Sequence, residues 1–209
     1  MVARRGKVVH FETYGMMNLE AQRPMQKDAI FRIYSMTKPV AAVAVMMLCQ
    51  DGKLELEAPV SRYLPELSGM KVAANAEAEE ASLIKADREM TVRDLMQHTS
   101  GLPGANRYMA GQTAVDKLYR QAGLHRLDEC NLQEMVERLG TIPLLYQPGT
   151  KWHYSIAADV LGRLIEVVSN QSFDLFLAEH IFQPLDMEDT GFYVPTEKID
   201  RLVGMYGPQ

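Results

Sequence analysis

Cysteine is scarce in this chain, which has two cysteines among 209 residues. Cys49 and Cys130 stand alone, without the paired spacing of a zinc site or of a thiol redox motif. Nothing in this usage requires an oxidising compartment, so we expect a cytoplasmic protein. Because the chain starts within a predicted strand, an exported precursor with further sequence upstream stays open.

Positive charge and long apolar segments are also in short supply. Lys and Arg number 22 against 27 Asp and Glu, and no basic stripe interrupts this acidic balance, which argues against a nucleic-acid partner. The apolar run 40–49 is too short to span a bilayer and is internal, so it is not a signal peptide. The histidines without metal-ligand spacing are His10, His125, His153 and His180. We therefore expect no membrane span, no metal and no cofactor.

What is present is the composition of an ordinary globular protein, with 47% hydrophobic and 23% charged residues. A chain of this length forms one large domain or two small ones and can bury a sizeable core. The sequence contains no repeats and no low-complexity linkers.

A serine and a lysine lie at the start of the apolar run. Ser35 precedes Lys38 by three positions, so on a helix both side chains lie on one face. Serine is a weak nucleophile until a neighbour accepts its proton, and a lysine can do this where burial or positive charge disfavours its charged form. This stretch predicts a buried helix that carries a reactive serine at its N-terminal end.

The spacing alone is not selective, because it occurs twice more, in Ser68–Lys71 and in Ser82–Lys85. The first lies beside Gly69 in a stretch without helical periodicity, and the second follows an acidic, alanine-rich run. Only Ser35 precedes a segment apolar enough to form a buried helix.

Local signals predict the ends of several elements. Arg5-Gly6 predicts the turn of an N-terminal hairpin, and Gly52 predicts the left-handed cap of the helix after Ser35. That helix has no polar face, so we expect other elements to enclose it. Thr91 and Asp94 form a capping box. The other expected elements are at most a short helix over 59–65, an exposed hairpin over 71–74 and 83–86, helices over 131–140, from Ser155 and from Ser172 to Pro184, and the start of a strand over 190–194.

A second group of chemically capable residues is Trp152-His153-Tyr154-Ser155, which follows a turn at Pro148-Gly149. A loop that leads into a helix can present a polar side chain to a cleft. Tyr154 could act as a second proton carrier if its hydroxyl lies near a buried lysine. The alternative is that Trp152 and Tyr154 fill the core, and the residues alone leave both interpretations open.

Segments along nearly the whole chain resemble the serine β-lactamase and penicillin-binding-protein superfamily, specifically the class C-like branch that includes the family VIII carboxylesterases. The matching segments are 31–33 with Ser35-Met36-Thr37-Lys38-Pro39, 59–65, 93–102, 148–150, Tyr154-Ser155 with 159–162, 181–185 and 189–192. Each segment is short, but their order and spacing together make the resemblance specific.

The resemblance implies a role for each matching residue. Ser35 would be the nucleophile that is acylated, and its backbone N–H would form half of an oxyanion hole. Lys38 would be the proton acceptor or the electrostatic partner of Ser35, and Tyr154 the tyrosine of the second motif. Ser155 and Ile156 would lie at the substrate, whereas His98 in His-Thr-Ser-Gly would be structural.

The resemblance also implies an α+β fold of the β-lactamase/transpeptidase type, an antiparallel sheet with an all-helical region. The Lys/His/Trp-x-Gly motif of such enzymes has no match in 194–209, so we expect the C-terminal sheet strands to be missing from this chain. A C-terminal segment or a second chain would complete the sheet. We expect a single incomplete domain over 1–209, with a hairpin and nucleophile helix (1–50), a helical region (51–190) and a returning strand (191–209).

Ile156 stands where class C β-lactamases have asparagine, and it cannot hydrogen-bond the side-chain amide of a lactam. The resemblance therefore predicts a serine hydrolase with an acyl-enzyme on Ser35, a carboxylesterase of short-chain esters. A β-lactamase or D-Ala-D-Ala peptidase is the alternative within the superfamily, with a small lactam or peptide as substrate. A non-catalytic fragment or a relative that only binds is the alternative outside it.

Overall fold

The computed structural model describes residues 1–78, 82–104, 113–125 and 129–207. The chain divides into two compact units, one made of Met1–Thr37 with Phe182–Gln209 and the other of Lys38–Ile181. The division of 1–209 into three consecutive parts of one domain stays a prediction.

The first unit begins with two small antiparallel sheets. Strands β1 (Val2–Arg4) and β2 (Lys7–His10) pair first, and β3 (Met16–Asn18) and β4 (Arg23–Pro24) follow. Arg5 and Gly6 both have positive φ angles, 51° and 73°, which is the backbone of the tight hairpin turn that matches strand twist. The predicted N-terminal hairpin is confirmed.

The C-terminal part of the first unit contains no strand among its described residues, so the strand predicted over 190–194 is wrong. The chain bends at 191–193 and then forms a 3₁₀ helix over Thr196–Arg201. Beyond it, Leu202 makes a single parallel bridge with Ile30, and the N–H of Ile30 donates to the carbonyl of Arg201 at 2.8 Å. A strand needs a neighbouring strand along its length, and none of the strands in the described ranges pairs with 190–194.

Helix α1 (Thr37–Gln50) belongs to the second unit, except for its first residue, Thr37. The N–H groups of Gly52 and Lys53 donate to the carbonyls of Cys49 and Leu48, and Gly52 has a φ of +68°. The left-handed cap at Gly52 is therefore confirmed. Ala41, Ala44, Val45 and Leu48 are buried.

The expected enclosure of α1 holds for one face only. Val43 and Met46 remain about half exposed on the other face, because no described element covers them. Their apolar side chains meet solvent in the chain as described here.

The core of the second unit is built around α5 (Ala157–Ser169). Val160, Leu164 and Ile165 on this helix are fully buried. Helix α5 packs against α2 (Val92–Gln97), α4 (Leu132–Leu139) and α6 (Phe173–Leu177). The described part of this unit also contains α3 (Ala114–Gln121), and α6 continues as a π-helical turn over Ala178–Phe182.

Local capping fixes the start of two of these helices as predicted. Thr91 and Asp94 make both bonds of the capping box at α2, the N–H of Thr91 donating to Asp94 Oδ2 at 2.9 Å. Asn131 Oδ1 accepts from the N–H of Glu134 at the start of α4, and Gly140 ends that helix. Helix α6 differs, because Ser172 makes no side-chain capping bond and Pro184 lies in a following 3₁₀ turn.

The predicted hairpin in the middle of the chain is confirmed as β5 (Lys71–Ala73) paired with β6 (Leu83–Lys85). Its expected exposure is wrong for β5, where Val72 and Ala73 are buried. The N–H of Ala73 donates to the carbonyl of Leu144, so β5 is covered from the side opposite β6. Within the described ranges, no helix has both the length and the apolar composition needed to cross a bilayer.

Candidate active site

Ser35 lies in the first unit, in a single 3₁₀ turn over Tyr34–Met36 that leads directly into α1. The N–H of Met36 donates to the carbonyl of Ile33 at 2.9 Å, and the N–H of Thr37 is shared between the carbonyls of Tyr34 and Ser35. The predicted nucleophile therefore lies one turn before the α-helix and not within it.

The residue before Ser35 has a strained backbone. Tyr34 has a φ of +44°, in a region that non-glycine residues rarely occupy. Its hydroxyl donates to the sulfur of Met205, an anchor within the same unit. Such strain persists only where surrounding contacts hold it, and it concentrates at functional sites.

Lys38 and Tyr154, which are far apart in the sequence, lie together in the second unit. The ammonium Nζ of Lys38 lies 4.8 Å from the centre of the Tyr154 ring. Lys38 is half-buried and Tyr154 is 47% exposed, so the pair borders solvent. A cation over an aromatic face is attracted by the ring quadrupole, which holds the two side chains in contact.

The segment that carries Tyr154 is held against the C-terminal end of α2. The N–H of His153 donates to the carbonyl of His98 at 2.8 Å, and the N–H of Ser155 donates to His98 Nδ1 at 3.4 Å. The rings of His98 and Tyr154 pack with their centroids 4.9 Å apart. Sequence spacing gives His98 no link to Tyr154, so this neighbour was not predicted.

His98 and Asp159 are groups near Lys38 whose ionisation the fold perturbs. Burial lowers the pKa of His98, and the charges of Lys38 and His153 lower it further. Burial raises the pKa of Asp159 on α5, and the charge of Lys38 opposes that rise. Both shifts arise because the site is partly desolvated.

The core-filling alternative for Trp152 and Tyr154 is wrong in this chain, since Trp152 is 65% exposed and its neighbour nearly half exposed. Their rings lie 6.4 Å apart, and Trp152 also lies 6.3 Å from the ring of His98. Three aromatic rings thus border the surface around Lys38.

Ser155 and Ile156, which are predicted to lie at a substrate, are both buried. The side chain of Ile156 is 0% exposed, and that of Ser155 is buried with its Oγ accepting from the N–H of Ala157 at 3.3 Å. Ile156, not Ser155, is the N-cap residue of α5. Neither side chain reaches solvent, so nothing here supports substrate contact, which stays a prediction.

The whole chain, residues 1–209, matches the model of the Beta-lactamase family, and the chain belongs to that family. Esterase EstB of Burkholderia gladioli is 36% identical over 192 residues, which cover 92% of this chain and 46% of EstB. The lovastatin esterase of Penicillium rubens is 30% identical over 178 residues, covering 85% of this chain and 43% of that enzyme.

A solved structure gives the same picture for the fold. The structure of EstCE1, described as a hydrolase with promiscuous acyltransferase activity, superposes with a TM-score of 0.80 at 29% identity, covering 96% of this chain and 49% of EstCE1. The predicted β-lactamase/transpeptidase-like fold is thereby confirmed. The chain spans about half the length of these relatives.

Proposed function

We propose that this chain carries the nucleophile and the proton carriers of a serine hydrolase that cleaves carboxylic esters. Ser35 is the nucleophile, and Lys38 and Tyr154 form the proton-carrying pair. Ser35 precedes Lys38 by three residues, the spacing that sets two side chains on one face of a helical turn.

The proposed reaction has two halves. Ser35 Oγ attacks the ester carbonyl while its proton passes to the Lys38–Tyr154 pair, and the same pair returns a proton to the alkoxide that leaves. Water then attacks the acyl-serine and gives a proton to the pair, and the pair passes this proton to Ser35 Oγ as the bond between that oxygen and the acyl carbon breaks, which releases the carboxylic acid and restores the serine. The backbone N–H of Ser35 donates to the oxyanion in both halves.

The contact between Lys38 and Tyr154 is the observation that carries the proposal. A lysine that follows a serine by three residues is a weak signal, since the chain has three such pairs. Of these lysines, Lys38 is the one whose ammonium lies over the ring of Tyr154, 4.8 Å from its centre. A serine hydrolase that lacks histidine as its base needs such a partner to move protons.

Ester substrates are favoured over lactams by two observations. Ile156 is a buried aliphatic residue and offers no amide to a lactam side chain. EstB and the lovastatin esterase are named for ester hydrolysis, and EstCE1 for hydrolysis with acyl transfer. β-Lactam or D-Ala-D-Ala cleavage is the second candidate, favoured by the family itself.

Labelling with a fluorophosphonate probe tests the nucleophile. We expect one covalent adduct at Ser35, found by peptide mass spectrometry, and no adduct after Ser35→Ala. The two other serines with a lysine three residues on provide matched controls, so Ser68→Ala and Ser82→Ala should leave labelling unchanged. An adduct that survives Ser35→Ala contradicts the proposal, as does a folded chain that takes no label, which would favour a binding-only relative.

Turnover of short-chain p-nitrophenyl esters and of nitrocefin on one preparation decides the substrate class. We expect a higher kcat/KM for the ester, and loss of ester turnover in Lys38→Met and Tyr154→Phe. A higher kcat/KM for nitrocefin would place the chain with the lactam-cleaving members. A short alcohol added to the ester assay tests acyl transfer, because a competing acceptor yields a new ester at the expense of acid.

A further inference from the structure

His98 holds the segment around Tyr154 at two points. Its carbonyl accepts from the N–H of His153 at 2.8 Å, and its Nδ1 accepts from the N–H of Ser155 at 3.4 Å. The two bonds hold the backbone on either side of Tyr154. The imidazole ring itself packs on the phenol ring at 4.9 Å between centroids.

The second of these bonds exists in one protonation state only. An imidazole nitrogen that accepts from a backbone N–H must carry no proton, so the neutral ring has its proton on Nε2. Protonation of Nδ1 would set its N–H against the N–H of Ser155 and break this bond, leaving the Oγ of Ser155, 3.5 Å from Nδ1, as the acceptor within reach of the protonated ring. It would also add a positive charge close to Lys38, because the His98 ring and the Lys38 ammonium both contact the ring of Tyr154.

We propose that His98 is a positioning residue that holds Tyr154 beside Lys38, and does so only while its imidazole is neutral. This inference rests on the proposed function, since it assigns the geometry of the proton-carrying pair to a third residue. His98 touches no substrate in this scheme. It acts through Tyr154.

The surroundings of His98 favour the neutral form. Burial lowers its pKa below the ordinary value, and the charges that act on it are Lys38 on α1 and His153 in the segment before α5. Because the unfolded chain binds this proton more tightly than the folded chain does, acidification weakens the folded arrangement. We therefore expect Tyr154 to lose its position as pH falls through the lowered pKa of His98.

The first test does not depend on activity. Trp152 is the single tryptophan of the chain, and its ring centre lies 6.3 Å from that of His98. A protonated imidazole quenches indole fluorescence by accepting an electron from the excited ring. We expect emission to fall in acid with a midpoint below the ordinary histidine pKa of about 6.5, and the amide resonance of Ser155 to shift with the same midpoint. His98→Asn should abolish both transitions, and His153→Gln should keep them.

The second test uses two replacements that tolerate the left-handed backbone at His98, where φ is +57°. In His98→Asn, Oδ1 stands near the place of Nδ1 and accepts from Ser155 without titrating. In His98→Gly, both the acceptor and the ring are lost. We expect kcat for a p-nitrophenyl ester to fall about 10²-fold in His98→Gly, as for loss of a positioned acid–base group, with KM little changed. His98→Asn should recover much of kcat and lose the acid limb of its pH profile.

Two results would overturn the inference. One is a Ser155 amide that does not respond while His98 titrates. The other is a folded His98→Gly variant, judged by circular dichroism, that keeps the wild-type kcat and pH profile. If the chain turns over no ester at all, the proposed function fails, and the Ser155 and Trp152 titrations still decide whether His98 grips this segment.

Discussion

Replacing Ile156 with asparagine tests whether this residue serves to fill the core or could recognise a lactam substrate. Asparagine is the residue of class C β-lactamases here, so the change looks like a step toward lactam recognition. Ile156 is fully buried, however, at the start of α5. We expect Ile156→Asn to destabilise the chain and to bring no gain in nitrocefin turnover.

The magnitude follows from three contributions. Losing a fully buried isoleucine side chain costs about 1.5–3 kcal/mol, and burying an amide without partners costs about 1–3 kcal/mol. Asparagine is a good N-cap residue worth about 1 kcal/mol, but it caps from an extended backbone, and Ile156 has φ −73° and ψ 14°. The two unfavourable contributions exceed the capping contribution. We expect the free energy of unfolding to fall by about 3–5 kcal/mol, from a typical value of about 5–15 kcal/mol.

Urea unfolding followed by circular dichroism measures this difference as a lower midpoint at unchanged slope. Ile156→Val is the matched control and should cost only about 1 kcal/mol, because it removes one methylene group. Ile156→Ala leaves a cavity without burying an amide, so it measures the contribution of the lost side chain alone. An Ile156→Asn variant within about 1 kcal/mol of wild type, or one with raised lactam turnover, would refute the reasoning.

Three further changes have expected outcomes. Gly101→Ala should destabilise by several kcal/mol, since φ is +81° and a Cβ would lie 2.1 Å from the carbonyl oxygen of Tyr146, as urea unfolding would show. Asp94→Ala should cost about 1–3 kcal/mol, because it removes a capping box and the bonds that the buried carboxylate accepts from Arg88, whose half-exposed guanidinium water can then solvate. Asp189→Asn should lower the thermal midpoint at pH 6, and the difference should shrink as pH falls below about 4 and vanish only below pH 2, because Arg201 and Lys198 lower the pKa of Asp189 to about 2.

The first two of these predictions have control variants elsewhere in the chain, and the third has an outcome that would contradict it. Gly52 also has a positive φ, +68°, but open space around it, so Gly52→Ala measures backbone strain without the clash. Glu55 forms an exposed ion pair with Arg62, and Glu55→Ala should cost under about 1 kcal/mol. The carboxylate reasoning for Asp189 would be wrong if the difference in thermal midpoint between variant and wild type were as large at pH 2 as at pH 6.

Features that depend on a few neighbouring residues could be predicted from the sequence. The capping box of Thr91 and Asp94, the glycine cap at Gly52 and the hairpin turn at Arg5-Gly6 all form as expected. Their bonds join residues at most five positions apart, so the local sequence contains all the partners. The family resemblance also followed from the order of short motifs, and the family match supports it.

The predictions that failed needed partners from elsewhere in the chain. The strand over 190–194 has strand-forming residues but no neighbouring strand among the described residues, so it bends. One face of α1 stays exposed for the same reason. The sequence pattern describes what a segment prefers, and only the neighbours decide whether that preference is met.

The sequence by itself determined the candidate chemistry: a serine and a lysine three residues apart, a tyrosine in a later motif, and the family that uses them. Only the tertiary structure decided that the Lys38 ammonium lies over the Tyr154 ring, that His98 grips the backbone on both sides of Tyr154, and that Ile156 is sealed from solvent. The physical reason is that these contacts join residues that lie far apart in the sequence, and no periodicity in one segment encodes which side chain of another will meet it.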